Sequence, residues 1–397
     1  MILSFALIVV FGLLANRLFT RLKLPGLLGM ILIGIAVGPY GLDWLDPSIL
    51  ENAADIRLIA LIVILLRAGL GLEKQLLKKV GRVALKMSSI PCLLEGFTIM
   101  GISRLLLGLP WAEAGMLGFI VAAVSPAVIV PAMLQLKQEG WGMKRGIPVI
   151  VLAGASVDDV IAITLFTAFL GIGTQAGGSL VVQIARIPLE IVGGIVLGGV
   201  VGWGLAVLFD RVTVSHLEGV GITVAGAFAT LVLGDQLGIA SLLGVMALGF
   251  MLLERAPHRS QRLEQSLNYV WFFAQIFLFV LIGAEVDVTL AWQAGLAGLA
   301  IIAAGLLART LGVMLALLGS ALTRRERIFA AIAYMPKATV QAAIGGIPLA
   351  MGVASGGTIL AIAVLAVVIT ASLGAIGIKV TAPRLLEREP QGAAYHP

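Results

Sequence analysis

Apolar residues along this chain run in long blocks, divided by short polar stretches or by glycine and proline. A helix needs about 20 residues to cross roughly 30 Å of hydrocarbon, and blocks near that length recur from one end of the sequence to the other. They predict thirteen spanning helices, near 1–19, 25–40, 57–72, 87–107, 113–135, 147–170, 186–209, 218–234, 239–253, 266–284, 294–319, 327–351 and 358–380. The blocks at 25–40 and 239–253 are short for a straight crossing, and Gly34, Gly38, Gly244 and Gly249 within them predict close packing on neighbouring helices. In the first block the charges Arg17, Arg21 and Lys23 follow the apolar run instead of preceding it, which reads as a retained span and not as a leader. The longest polar insertion, around Glu254 to Ser266, is short, so the chain reads as one integral membrane unit.

Composition agrees. Hydrophobic residues make up 60% of the 397 residues and charged residues 12%, against roughly 25% charged in soluble globular proteins, and the mean hydropathy is +1.08. The single cysteine, Cys92, rules out an intramolecular disulfide and a multi-cysteine metal site. The net charge of +6 would in a soluble protein suggest nucleic acid, but its placement gives another reason. With the N-terminus outside, the C-terminus cytoplasmic and the spans alternating, twenty-one of the 27 Lys and Arg fall in cytoplasmic segments, as the positive-inside rule requires. Arg57, Arg104 and Arg186 fall outside, and Arg67, Arg309 and Lys337 remain at membrane depth. The positive charge is therefore topological and implies no nucleic acid partner; the absence of a Walker-type loop implies no nucleotide.

Ionisable residues inside a bilayer are costly and are functional candidates by default. Here they are Arg67, Glu95, Asp158, Asp159, Arg309 and Lys337, whereas Glu190 and Glu285 lie nearer span ends and read as interfacial. Asp158 and Asp159 sit in an otherwise apolar helical run, so no wet face accounts for them. Adjacent helical residues point about 100° apart; one acid can take a protein cation while the other faces a cavity. Desolvation and the like-charged neighbour both disfavour the ionised form, which makes a proton and a small alkali cation alternative neutralisers of one carboxylate. The competing reading is that both acids merely balance Arg309 and Lys337.

Two spans carry helix-breaking motifs, Ser125-Pro126-Ala127-Val128-Ile129-Val130-Pro131 and Met335-Pro336-Lys337-Ala338-Thr339-Val340-Gln341. Broken helices are tolerated in membranes where they line a protein-enclosed cavity, and transporters hold ions at such breaks. With spans 1–6 and 8–13 taken as halves, the two motifs fall in corresponding spans, and so do Glu95 and Arg309. An offset of seven spans is odd, so the halves are inverted. Glu95 and Arg309 become a candidate salt bridge, the alternative being two separately neutralised charges.

These motifs, together with Ser156-Val157-Asp158-Asp159, Pro336 to Gly345, Arg67-Ala68-Gly69-Leu70-Gly71-Leu72 and Ile282-Gly283-Ala284-Glu285-Val286, resemble the NHA subfamily of sodium/proton antiporters, in the monovalent cation/proton antiporter superfamily that includes NapA and NhaA. The resemblance implies an all-α polytopic membrane protein of about 13 helices, with two inverted six-helix repeats and two crossed discontinuous helices. It implies a homodimer among membrane lipids, with a dimerisation domain of about 1–86 plus 218–292, a core domain of about 87–170 plus 294–380, a linking helix at 186–209 and a cytoplasmic tail at 381–397. By position, Asp159 is the implied carboxylate for Na⁺ or Li⁺ and Asp158 its partner, with Glu95, Arg309 and Lys337 compensating charge or gating. Ser125, Pro126, Pro131, Ser156, Pro336, Thr339 and Gln341 are the implied helix-break and cavity residues, and Arg67 a structural one. Arg309 stands where electrogenic relatives have a lysine, and an arginine is not expected to give up its proton. The function implied is elevator-type Na⁺(Li⁺)/H⁺ antiport in the cell (inner) membrane, without a cofactor. K⁺/H⁺ antiport and sodium-coupled symport of an organic solute are the alternatives. An intramembrane aspartyl protease is disfavoured, because the two acids are adjacent on one helix and a Gly-x-Gly-Asp element is missing.

Overall fold

A computed structural model describes residues 1–22, 24–71, 74–174, 180–287, 289 and 295–389, with the backbone alone described for 74–82, 84, 126, 127, 131, 134, 138, 156, 157 and 180–188. The fold is helical throughout. In chain order the helices are α1 (Ile2–Arg21), α2 (Gly26–Val37), α3 (Pro47–Glu51), α4 (Ala53–Leu70), α5 (Lys74–Leu107), α6 (Trp111–Ala122), α7 (Pro126–Glu139), α8 (Ile147–Thr174) and α9 (Leu180–Arg211). There follow α10 (His216–Leu237), α11 (Ser241–Arg255), α12 (Pro257–Ala284), α13 (Gly295–Ala316), α14 (Arg324–Ala333), α15 (Thr339–Ile344), α16 (Ile347–Ala350) and α17 (Gly356–Leu385). Among the described residues, eight helices are long and apolar enough to cross a membrane, and shorter apolar helices accompany them at 26–37, 111–122, 128–137 and 339–350.

Polar signals set the helix ends. Capping boxes start α10 at Ser215 with Glu218 and α14 at Thr323 with Glu326, each satisfying two backbone donors that a helix N-terminus leaves open. Gly140 and Gly238 stop α7 and α10 in the left-handed conformation. The last span runs past the expected 380 to Leu385, and the chain after it docks on the turn following α7: Gly142 N donates to Glu387 O at 2.8 Å and Glu389 N to Gly140 O at 2.9 Å. Residues 390–397 of the expected tail lie outside the described residues.

The helices pack in two groups. In one, α12 lies against α2 and α4, and α11 against α4 and α9; in the other, α5 lies against α6, α8 and α13, and α17 against α6, α7, α14 and α16. The groups meet where α4 and α12 touch α15, where α9 and α11 touch α8, and where α2 touches α17. Within the first group the short helix α2 gains its hold from backbone proximity. A Cβ on Gly34 would overlap the Val280 carbonyl, and one on Gly283 would overlap that of Ile31, so α2 and α12 touch through reciprocal glycines. Overpacking of this kind costs about 1–3 kcal/mol. Gly34→Val is therefore expected to lower the thermal midpoint of the purified protein in detergent. An unchanged midpoint would show that α2 and α12 do not depend on this approach.

Candidate functional site

Both helix breaks occur at prolines. The residue before a proline is pushed out of the helical region; Ser125 is extended at φ −93°, ψ 107°, which separates α6 from α7. Pro336 likewise falls in the gap between α14 and α15. The two gaps face each other, for Ser125 N donates to Pro336 O at 3.0 Å and Thr339 N to Ser125 Oγ at 3.4 Å. Ser125 Oγ also lies 3.4 Å from Thr339 Oγ1.

Side chains satisfy the carbonyls at the end of α6. Gln341 Nε2 donates to Ala123 O at 2.7 Å and to Ile120 O at 3.0 Å. Arg309 Nη2 donates to Ala122 O, and Lys337 Nζ reaches the same oxygen at 3.4 Å. Two cations thus meet the negative end of a helix dipole. They are held by acids from two other helices: Glu95 Oε2 accepts from Arg309 Nε and, at 2.6 Å, from Lys337 Nζ, and Asp158 Oδ1 lies 3.4 Å from Arg309 Nη1. Asp158 Oδ2 accepts the Val124 N–H at 3.0 Å. Lys337 contacts Glu95 and Ala122, not either aspartate.

Asp159 differs. It is buried to 5% exposure, its Oδ1 has no hydrogen-bond partner, and among the described residues no Lys or Arg nitrogen lies within 4.0 Å of it. It lines a cavity of about 410 Å³ together with Arg67, Glu264, Asn268, Gln275 and Thr339. Asp158, by contrast, is wholly buried in the network. With every group ionised, Glu95, Asp158, Asp159, Arg309 and Lys337 carry one net negative charge, and Asp159 is the acid without a cation. Among the described residues no cluster of three or more His, Cys, Asp and Glu side chains forms a resident metal site.

The structure therefore brings together Glu95, Asp158, Asp159, Arg309, Lys337, Ser125, Thr339 and Gln341 around the two breaks. Arg67, read as structural, is placed on the wall of the Asp159 cavity. The side chains of Ser156, Pro126 and Pro131 lie outside the described residues. Sequence reasoning missed Tyr334, wholly buried with its ring 5.7 Å from the Arg309 guanidinium carbon, and Thr370, whose Oγ1 accepts the Lys337 N–H at 2.9 Å. A tyrosine two residues before Pro336 and a threonine in an apolar helix were the available signals. It also placed Arg57 and Glu285 at the membrane surface, where the structure pairs them, with Arg57 3% exposed.

Breaking a buried ion pair from one side strands a charge, at roughly 3–5 kcal/mol. Glu95→Gln and Arg309→Gln are each expected to lower the thermal midpoint, and the double variant to lose much less than the two losses added, by at least about 1 kcal/mol. Additive losses would mean that the two side chains do not act as a pair.

The sodium/hydrogen exchanger, transmembrane, family model matches residues 5–383. Sodium/hydrogen exchanger 9B2 of Homo sapiens is 34% identical over 396 residues, covering 94% of this chain and 72% of that protein. The 9B2 exchanger of Xenopus tropicalis is 36% identical over 401 residues, covering 94% and 73%. Among solved structures, that of the sodium proton antiporter MjNhaP1 from Methanocaldococcus jannaschii at pH 8 has the same fold, with a TM-score of 0.83 over 97% of this chain and 98% of that one at 22% identity. The apolar helices, the paired helix breaks and the buried charges thus belong to a multi-pass membrane protein of the sodium/hydrogen exchanger family.

Proposed function

We propose that this chain exchanges Na⁺, and Li⁺ with it, for H⁺ at the carboxylate of Asp159. The observation that carries this reading is the contrast between two adjacent acids: both oxygens of Asp158 are engaged, by Val124 and Arg309, while Asp159 holds a partnerless buried oxygen at a cavity. One monovalent cation cancels the net negative charge of the buried cluster, and a proton on Asp159 cancels it equally. The two ligands exclude each other because a second positive charge would have no partner in a low-dielectric site. The names of the relatives, sodium/hydrogen exchangers, fit these two cargoes.

Exchange follows if the loaded carboxylate reaches either side and the empty one does not. The core group, about 87–170 and 294–380, moves as an elevator against the group formed by about 1–86 and 218–292, with 186–209 linking them and the second group forming the homodimer. Supporting this division, Glu95, Asp158, Asp159, Arg309 and Lys337 all lie in the core group, and the cavity beside Asp159 lies against α4 and α12 of the other. The Lys and Arg distribution puts the N-terminus outside and the C-terminus in the cytoplasm of the cell membrane. The cavity then opens inward, since Gly71 and Glu264 line it at the cytoplasmic ends of α4 and α12. The thirteen-span count and the inverted halves follow the same alternation, with the α6–α7 and α14–α15 breaks as their counterparts.

Arg309 keeps its proton throughout, and Lys337 is held by Glu95, so one carboxylate changes hands and one Na⁺ moves per H⁺. In proteoliposomes Asp159→Asn is expected to abolish Na⁺-driven pH changes in a folded protein, and Asp158→Asn to impair them by releasing Arg309. Exchange by Asp159→Asn at the parental rate would overturn the assignment. With the membrane potential clamped, the parental rate is expected to be independent of voltage. A dependence near 2.3 kcal/mol per charge per 100 mV would overturn one-for-one exchange, and a requirement for an organic solute would make the protein a symporter.

A further inference from the structure

We infer that Arg57 and Glu285 form a latch that closes the end of the transport pathway opposite the cavity, by seating the Arg57 guanidinium on the bare backbone of Gly346. The inference rests on the proposed motion of the core group. Arg57 lies near the start of α4 and is 3% exposed; Glu285 caps the end of α12 and pairs with it. Neither residue belongs to the Asp159 network or lines the cavity. A buried ion pair gives little stability beyond that of apolar packing, so burial alone does not account for this one.

Its position does. Both α4 and α12 belong to the group that does not carry the ion site, whereas Gly346, between α15 and α16, belongs to the group that does. A Cβ added to Gly346 would stand 3.1 Å from both the guanidinium carbon and Nη2 of Arg57. The flat cation therefore lies against backbone at the joint between two short helices, one turn beyond Gln341 and Thr339 of the ion site. Ten residues further along α4, about 15 Å at the helical rise, Arg67 lines the open cavity, and Glu264 lines it from α12. The same two helices thus carry an arginine and a glutamate at each end. At one end the pair is joined and rests against the core; at the other both residues line the cavity. The Glu285 side chain is 18% exposed but that of Arg57 only 4%, so the pair parts only as the core moves away and water enters. The latch favours the state in which Asp159 faces the cavity, and core movement requires its release.

The test reports which side the cavity faces without using exchange. In a Cys92→Ser background, Asn268→Cys on the cavity wall is labelled from the cavity side with a membrane-impermeant maleimide, in vesicles without an ion gradient. Glu285→Gln, Arg57→Gln and Gly346→Ala are each expected to slow labelling roughly threefold or more by depleting the cavity-open state. The charge-reversed pair Arg57→Glu with Glu285→Arg should return the rate toward the parental value. Parental labelling rates in folded Glu285→Gln and Gly346→Ala, even with lowered thermal midpoints, would reduce the pair to a structural contact and overturn the latch. Should the charge variants fail to fold, Gly346→Ala keeps both charges and decides alone. Normal exchange in Asp159→Asn would instead sink the ion-site assignment and leave the labelling result standing, so the two failures are distinguishable.

Discussion

The structure depends on what becomes of the backbone where α6 stops inside the protein. A helix end leaves its last carbonyls without intrahelical donors, and in a hydrocarbon layer no water can supply them. Ser125 and Pro126 force that end at mid-span, and every donor that answers it comes from elsewhere in the chain: Gln341 to Ile120 and Ala123, Arg309 and Lys337 to Ala122. Because two of these donors are cations, an acid must lie near them, and Glu95 takes both. The facing break reciprocates, with Pro336 O taking the N–H of Ser125. One interrupted helix thus dictates residues on α5, α8, α13 and α15 and in the gap before α15.

The electrostatic consequence is a cluster with one acid in excess. A neutral side chain in place of Asp159 would leave the network balanced, and a cation there would leave it with one positive charge in excess. As it stands, one further monovalent positive charge would neutralise the ionised cluster, as the proposed exchange requires. That property belongs to the group as a whole. Asp158 and Asp159 have the same chemistry and differ in what surrounds them: a backbone donor and a guanidinium for one, a cavity for the other. A protein cation with five fixed donors suits this setting better than a lysine would, because Arg309 contacts Glu95, Asp158 and Ala122 at once through a planar fork.

Much of this was legible in the sequence because a membrane makes charges rare. With loops claiming most Lys and Arg, the residual ones marked the site by exclusion, and the two proline motifs marked the breaks. The adjacency of Asp158 and Asp159 fixed that they must face different ways, since helical geometry allows nothing else. It did not say which would be paired, because that depends on α8 and α13 both packing on α5, contacts no local pattern encodes. Tyr334 and Thr370 were missed for a related reason: each is unremarkable in its own segment and gains its role from the backbone brought against it. That Arg57 and Glu285 pair was not legible, because nearness to the end of an apolar block says nothing of burial between helices. Arg67 was placed in the right span, but its face toward the cavity is set by packing of α4 on α11 and α12.

The distribution of strong and weak contacts also bears on motion. The network of charge-assisted bonds lies wholly among elements of the core group, so it can travel as a unit with its geometry kept. Between the groups the contacts of α4 and α12 with α15 are largely apolar, made by residues such as Leu61, Leu65, Val340 and Ala343 around the cavity, and such contacts are non-directional. A surface of that kind permits sliding, whereas a directional network across it would fix one register. Rigid chemistry inside one body and permissive packing between bodies is the arrangement that the proposed elevator motion requires. Arg57 against Gly346 is the exception among these contacts, a charged group set at the joint, and in the proposed latch it acts on the position of the core and not on the chemistry of the ion.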